Sequence, residues 1–186
     1  LTVSPFVNNN YSTQSNPFPI YLESNKKLYL PKHYGLETFG EPDHVKAKKG
    51  FDIDLEFKGE LRQKQLAPVN AFLDSCKKRS YVKYSRGGII SLPCGYGKTI
   101  CSLYISSKLA KKTLVIVHKE FLINQWKERI AQFLPDARIG TIQAKTIDID
   151  NKDIVIGMLQ SLSMKEYPQD TFDSFGLTIV DECHHI

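Results

Sequence analysis

Two short stretches limit what this chain can be. Gly95-Tyr96-Gly97-Lys98-Thr99 separates an apolar run ending at Leu92 from an amphipathic segment, and Asp181-Glu182 follows the strand-like run Leu177-Thr178-Ile179-Val180, 83 positions beyond Lys98. A glycine-rich turn that leads from a strand into a helix is common by itself. Joined to a paired carboxylate at a second strand end, it describes the two halves of a nucleoside triphosphate site. Gly95 and Gly97 allow the loop from Pro93 and Cys94 through Tyr96 to turn tightly, with its amide hydrogens pointing at phosphates. Lys98 supplies a compact positive charge for the β- and γ-phosphates. Thr99 opens a helix whose amino end presents about half an elementary charge, and it offers its hydroxyl to magnesium. Asp181 is placed to hold that magnesium through water. Glu182 is then free to polarise an attacking water, a role worth roughly 10² to 10⁴ in rate.

Plainer interpretations exist for the same residues. Gly-Lys-Thr also occurs as ordinary strand-to-helix punctuation, and Cys183, His184 and His185 are all capable of ligating zinc. Successive side chains diverge, however, and Cys94 and Cys101 lack the spacing of a ligand pair. The four cysteines, Cys76, Cys94, Cys101 and Cys183, form no disulfide framework, and two of them lie within the nucleotide motifs. A reducing compartment, nuclear or cytoplasmic, is therefore expected.

Hydrophobic and charged residues make up 41% and 24% of the 186, values of a chain able to bury a core. No apolar run approaches the roughly 20 residues needed to span a bilayer. The chain begins with Leu1 and ends directly after the acidic motif, so a fragment of a longer protein is expected. Charge is uneven: residues 1–60 carry seven Lys or Arg against eight Asp or Glu, and residues 61–186 carry eighteen against twelve. The nucleotide-binding part is the basic one, which favours a nucleic acid as partner.

Residues 1–17, with Asn8-Asn9-Asn10 and little periodicity, are expected to be mobile. Residues 18–60 read as a small β-rich accessory region. Phe18, Ile20 and Leu22 face Leu28 and Leu30 across a turn at Ser24-Asn25-Lys26, and Phe51, Ile53, Leu55 and Phe57 alternate with acidic residues as in a half-wet strand. From residue 61 helix and strand alternate. The expected elements are a helix carrying Leu66, Val69, Phe72, Leu73 and Cys76, a strand Gly88 to Leu92, a helix Lys98 to Lys111 and a strand Leu114 to Val117. There follow a helix Glu120 to Phe133 with Phe121, Leu122, Trp126 and Ile130 inward, and strands near Ile139, at Ile154 to Ile156 and at Leu177 to Val180. Such exchange implies an α/β fold, a parallel sheet with helices on both faces and its ligands at the carboxyl ends of the strands. Trp126 reads as core. The basic loop Lys77, Lys78, Arg79, Lys83 and Arg86, interleaved with Tyr81 and Tyr84, reads as a solvated connection that could also grip a strand of nucleic acid.

Leu92 to Thr99, LPCGYGKT, and Asp181 to His185, DECHH, resemble motifs I and II of superfamily two helicases, most nearly the xeroderma-pigmentosum-B type and its relatives in large DNA viruses. Leu61-Arg62-Gln63-Lys64-Gln65 resembles the element in which a glutamine reads adenine, a role that would fall on Gln65 with Arg62 nearby. His118 to Leu122 with Gln125-Trp126 stand in the place of motif Ia, and Gly157 to Ser161 in that of a later motif touching the nucleic-acid backbone. The likeness covers residues 61–186. It departs from the general pattern at Leu92, at His118-Lys119 in place of a proline-threonine pair, and at Met158 in place of a hydroxyl.

This resemblance implies a RecA-like lobe over 61–186, ATP and magnesium as cofactors, and a coupling role for His184. It also implies nucleic-acid contacts at Lys119, Gln160 and Ser161, which read equally well as solvated loop residues at strand ends, and DNA ahead of RNA as partner. Such a motor works with a second lobe that supplies arginine fingers, whose loss costs about 10³ to 10⁵ in rate, so residues 61–186 alone should hydrolyse ATP feebly. A small-molecule kinase shares the phosphate loop, and a docking fragment without turnover is the non-enzymatic alternative. Gln65, and a glutamate directly after the magnesium aspartate, favour water as acceptor.

Overall fold

The computed structural model describes residues 1–3, 17–46, 48–77, 87–168 and 170–185. The chain divides into a smaller unit within Leu1–Val45 and a larger one built from Lys46–Lys77 and Gly88–Ile186.

In the smaller unit, β1 (Thr2–Val3) pairs antiparallel with β2 (Phe18–Pro19), and β3 (Leu22–Ser24) with β4 (Lys27–Tyr29). The hairpin is shorter than the expected alternation from Phe18. Its turn is pinned by Ser24, whose Oγ accepts the Lys27 backbone N–H at 3.1 Å. Then comes α1 (Lys32–Phe39), which the sequence patterning does not reveal because the helix buries none of its residues. Pro31 sits immediately before it, a position where the missing amide donor costs nothing. Of the segment expected to be mobile, Thr2 and Val3 lie in β1, and residues 4–16 fall outside the described residues.

The larger unit contains α2 (Gln63–Lys77), α3 (Lys98–Leu109), β5 (Thr113–Val117), α4 (Glu120–Phe133), β6 (Ile139–Gln143), β7 (Thr146–Ile147), β8 (Ile154–Met158), α5 (Leu159–Met164) and β9 (Leu177–Val180). The sheet order is β7-β6-β8-β5-β9, with β7 antiparallel to β6 and the other pairs parallel. Successive strand residues face opposite sides. Val115, Val117, Ile154 and Ile156 therefore pack under Leu122, Ile123, Trp126 and Ile130 of α4, whereas Leu114 and Val155 pack on the other side with Leu162, Tyr167 and Phe172. Each of those four β-branched residues is 0% exposed, a burial worth up to about 1.5–3 kcal/mol apiece. A third cluster joins α2 to α3 through Val69, Cys101 and Ile105. The result is the expected α/β, RecA-like sheet covered on both faces. Among the described residues no helix is long and apolar enough to cross a membrane.

Several sequence expectations are corrected. Phe51 to Phe57 is an extended strap rather than a strand. Its Ile53, Leu55 and Phe57 do point inward, but among the described residues its only bridge is Asp52 with Lys111, and its amides bond loop carbonyls, Phe51 to Ser174 and Ile53 to Ala110. Phe57 stacks on Phe133 with ring centres 5.3 Å apart. The strap thus belongs to the larger unit, which starts before the expected boundary at residue 60. Among the described residues Gly88 to Leu92 makes no ladder. Ile90 and Leu92 pack onto the α2 and α3 cluster while Ile89 is 83% exposed, so the apolar alternation marks packing and not pairing. Helix α3 stops at Leu109 rather than Lys111, because Ala110 adopts a left-handed conformation and its amide closes on the Ser106 carbonyl. No glycine announces that cap. Phe121 faces solvent and Ile123 takes its place inside, since the buried stripe of α4 runs through Leu122, Ile123, Trp126 and Ile130.

Candidate functional site

The turn from Pro93 to Gly97 is shaped by two left-handed glycines, Gly95 at φ +77° and Gly97 at φ +80°. A Cβ on Gly95 would meet nothing within 4 Å, whereas one on Gly97 would lie 2.4 Å from Nε2 of Gln65. Gln65, buried on α2, explains that closeness: its Nε2 donates to the Tyr96 carbonyl at 2.8 Å and its Oε1 accepts the Arg62 backbone N–H at 2.8 Å. One side chain thus ties the start of α2 to the middle of the turn. Arg62 is exposed and frames the entry to α2, where its carbonyl accepts the Gln65 amide. Lys64 adds a second link, its ammonium 5.1 Å from the centre of the Tyr96 ring.

Gly97 is also the N-cap of α3, and among the described residues no side chain caps that end. The first amides of the helix are therefore presented to solvent together with its positive dipole end. Pro93 accepts the Tyr96 amide, Cys94 is exposed, and Thr99 is half-buried in the first turn. Lys98 reaches across to the other motif, with its Nζ 2.8 Å from Oε1 of Glu182. That hydrogen bond holds the ammonium above its ordinary pKa against the opposing effect of desolvation. Both side chains are about one-third exposed, so the pair contributes modestly to stability.

Asp181 and Glu182 come directly off β9. The Asp181 amide donates to the Ile116 carbonyl at 3.0 Å, and Glu182 sits in the left-handed region at φ +52°, a strained setting of the kind that concentrates at functional sites. Its second oxygen lies 3.4 Å from Nδ1 of exposed His184, so one carboxylate spans Lys98 and His184. The donor set of Thr99 hydroxyl and Asp181 carboxylate is all oxygen, which suits a hard cation such as magnesium, and Lys98 with the uncapped helix end suits phosphates. The residues present fit a magnesium–nucleotide.

Lys119, Gln160 and Ser161 form a separate group at the carboxyl ends of β5 and β8. Gln160 Nε2 donates to the His118 carbonyl at 3.3 Å, Ser161 Oγ accepts the Ala144 amide at 2.9 Å, and Lys119 is the exposed N-cap of α4. The basic loop from Lys78 to Arg86 lies outside the described residues. Sequence patterning marked Trp126 as core, and it is 1% exposed, but its indole N–H also donates to Oδ2 of Asp181 at 2.9 Å. The available signal was chemical: a buried indole N–H needs an acceptor, and a helix packed beside strand ends finds one there.

A family model described as "Type III restriction enzyme, res subunit" matches residues 58–186. The chain is 34% identical over its whole length to a candidate ATP-dependent RNA helicase of Acanthamoeba polyphaga mimivirus, and covers 36% of that protein. It is also 34% identical, over 71% of its length, to a candidate helicase of Invertebrate iridescent virus 6, and covers 29% of it. The chain thus spans about a third of the length of these relatives. Among solved structures, the Sulfolobus solfataricus SWI2/SNF2 ATPase core in complex with dsDNA matches with a TM-score of 0.56 at 17% identity, over 71% of this chain and 28% of that one. That likeness concerns the fold. Taken with the family match over 58–186, these comparisons show that the chain belongs to the ResIII family, within the superfamily two helicases.

Proposed function

We propose that the chain is the ATP-binding lobe, the first of two, of a helicase or translocase of the xeroderma-pigmentosum-B type that couples ATP hydrolysis to movement on nucleic acid. The observation that carries this reading is the meeting of Lys98 and Glu182 at 2.8 Å across 84 positions, with Asp181 beside them at a strand end. In this assignment the amides of the turn from Pro93 to Gly97 and the uncapped end of α3 cradle the phosphates. Lys98 leaves Glu182 for the β- and γ-phosphates, an exchange of one anionic partner for another. Thr99 and Asp181 hold magnesium, which neutralises phosphate charge when bound. Glu182, released from Lys98, takes up a proton of the attacking water. Gln65 reads the adenine edge from α2, a role its amide suits because Nε2 carries a second hydrogen and Oε1 a second lone pair. His184, in contact with Glu182, is suited to couple hydrolysis to a nucleic acid or second lobe.

Lys119, Gln160 and Ser161 are assigned to the backbone of the nucleic acid, with DNA as the preferred partner. The basic excess of residues 61–186 supports a polyanion, and the SWI2/SNF2 neighbour is titled as a complex with dsDNA, whereas the mimivirus relative is named for RNA. The deciding experiment measures ATP hydrolysis by the chain joined to its second lobe, with single-stranded DNA, duplex DNA, RNA or nothing added, beside Glu182→Gln. Stimulation by DNA that disappears in the variant is expected. Hydrolysis indifferent to every nucleic acid refutes the motor, and stimulation by RNA alone refutes the preference for DNA.

A further inference from the structure

We propose that Trp126 is a positioning residue for Asp181: its indole N–H fixes the carboxylate and thereby sets how tightly the site takes magnesium with nucleotide. The proposal rests on the assignment of Asp181 to magnesium made above. Trp126 is the single tryptophan of the chain, buried on α4 among Val115, Val117, Leu122 and Ile156. A ring packed that closely has no freedom to follow its partner. The partner must come to it, and Asp181 does so across 55 positions, with Oδ2 2.9 Å from Nε1.

Asp181 is thereby held at two points belonging to different elements. Its amide is fixed to the Ile116 carbonyl on β5, and one carboxylate oxygen is fixed to α4. The remaining oxygen, Oδ1, has no hydrogen-bond partner among the described residues. With Oδ2 bonded to the indole, the carboxylate torsion is restrained and Oδ1 is turned toward an ion or its water shell. Outer partners of this kind hold a ligand in its working orientation, and their loss typically weakens metal affinity by 10- to 100-fold. If the bond served only to satisfy a buried indole, its removal would affect stability and leave the metal dependence unchanged.

The two roles separate experimentally. In calorimetric titrations of the chain with ADP, Trp126→Phe keeps an aromatic ring in the core and removes the donor. ADP affinity in excess EDTA should equal that of the wild type, while the magnesium concentration at half-maximal tightening of ADP binding should rise about tenfold. Asp181→Asn, which removes the charge assigned to magnesium, should show a larger rise, and the double variant no further one, because Trp126 acts only through Asp181. In the wild type, adding magnesium to the ADP-saturated chain should change the emission of Trp126, and Asp181→Asn should abolish that change. The emission pair decides the matter even if Trp126→Phe does not fold. An unchanged magnesium midpoint in a folded Trp126→Phe, or an emission indifferent to magnesium while ADP binding remains magnesium-dependent, overturns the positioning role and leaves the nucleotide site standing. Failure of the wild type to bind ADP at all overturns both.

Discussion

Replacing Gly97 with alanine tests the joint between α2 and the phosphate turn, and Gly95→Ala provides its control. Both glycines are left-handed, at φ +80° and +77°, so either alanine meets the same backbone strain, about 1–2 kcal/mol. They differ in what surrounds the new methyl group. At Gly95 nothing lies within 4 Å, whereas at Gly97 the Cβ would stand 2.4 Å from Nε2 of Gln65. Gln65 is 2% exposed and cannot swing into water. It must retreat within its pocket and give up the bond to Tyr96, which leaves a buried amide short of a partner at a further cost of about 1–2 kcal/mol. Gly97→Ala should therefore melt below Gly95→Ala. For a chain of this length, at about 2–4 °C per kcal/mol, the gap should be near 4 °C. Circular dichroism melts measure it directly. Adding Gln65→Ala removes the colliding atom, so in that background Gly97→Ala should cost only the strain it shares with Gly95→Ala. Equal melting temperatures for the two glycine variants, or a Gly97→Ala penalty that persists in full without Gln65, would refute the coupling.

Glu182→Gln frees Lys98 from its carboxylate, so ADP binding measured by calorimetry should tighten several-fold while hydrolysis falls by about 10² to 10⁴; a matching loss of binding would contradict the exchange of partners. Asp153 accepts the Arg138 backbone amide at 2.8 Å and two guanidinium N–H groups at 2.9 and 2.7 Å, contacts that hold its carboxyl below the ordinary range. That stabilisation is complete above about pH 4, the unfolded carboxyl value, and fades as pH falls through the lower folded one. Because Arg138 is 62% exposed the pair is discounted, so Asp153→Asn should cost about 1–2 kcal/mol at pH 7 and flatten the loss of stability below pH 4; parallel acid titrations of variant and wild type would argue against it. Gly140→Ala would bring a Cβ to 2.0 Å from the Asp148 carbonyl, where the chain leaving β7 passes β6, so a loss of about 1–3 kcal/mol in urea unfolding is expected, with ADP affinity unaltered.

Residues that touch phosphate or metal are chemically constrained and therefore visible in a bare sequence. Few residue types other than those at Gly95, Gly97, Lys98, Asp181 and Glu182 suit the work proposed for them, and their spacing survives any detail of packing. The parallel sheet is visible for a related reason, because Leu114 to Val117 and Ile154 to Ile156 are runs buried on both faces. Boundaries that depend on one backbone torsion, such as the end of α3 at Ala110, leave no compositional trace. Alternation is weaker evidence still. Phe51 to Phe57 and Gly88 to Leu92 carry a strand-like pattern because one side of each is buried, but pairing also needs a free ladder edge, and the strap bonds loop carbonyls instead.

The supports of the site were hidden for a different reason: each has an adequate role without it. Gln65 suffices as a ligand-reading glutamine, and its part in holding Tyr96 appears only when α2 is laid against the turn. Trp126 suffices as core filler, and nothing in its helical phase reveals that its one polar atom meets Asp181. In both cases a buried side chain places a polar donor on a nucleotide motif, Gln65 on Tyr96 and Trp126 on Asp181. Burial demands a partner, and the strand ends supply acceptors where the helices around them do not. The polar atoms of buried residues on the elements around a phosphate loop are therefore the place to look for what orients it. Here that search leads from Lys98 and Asp181, assigned above to phosphate and magnesium, to Gln65 and Trp126 behind them.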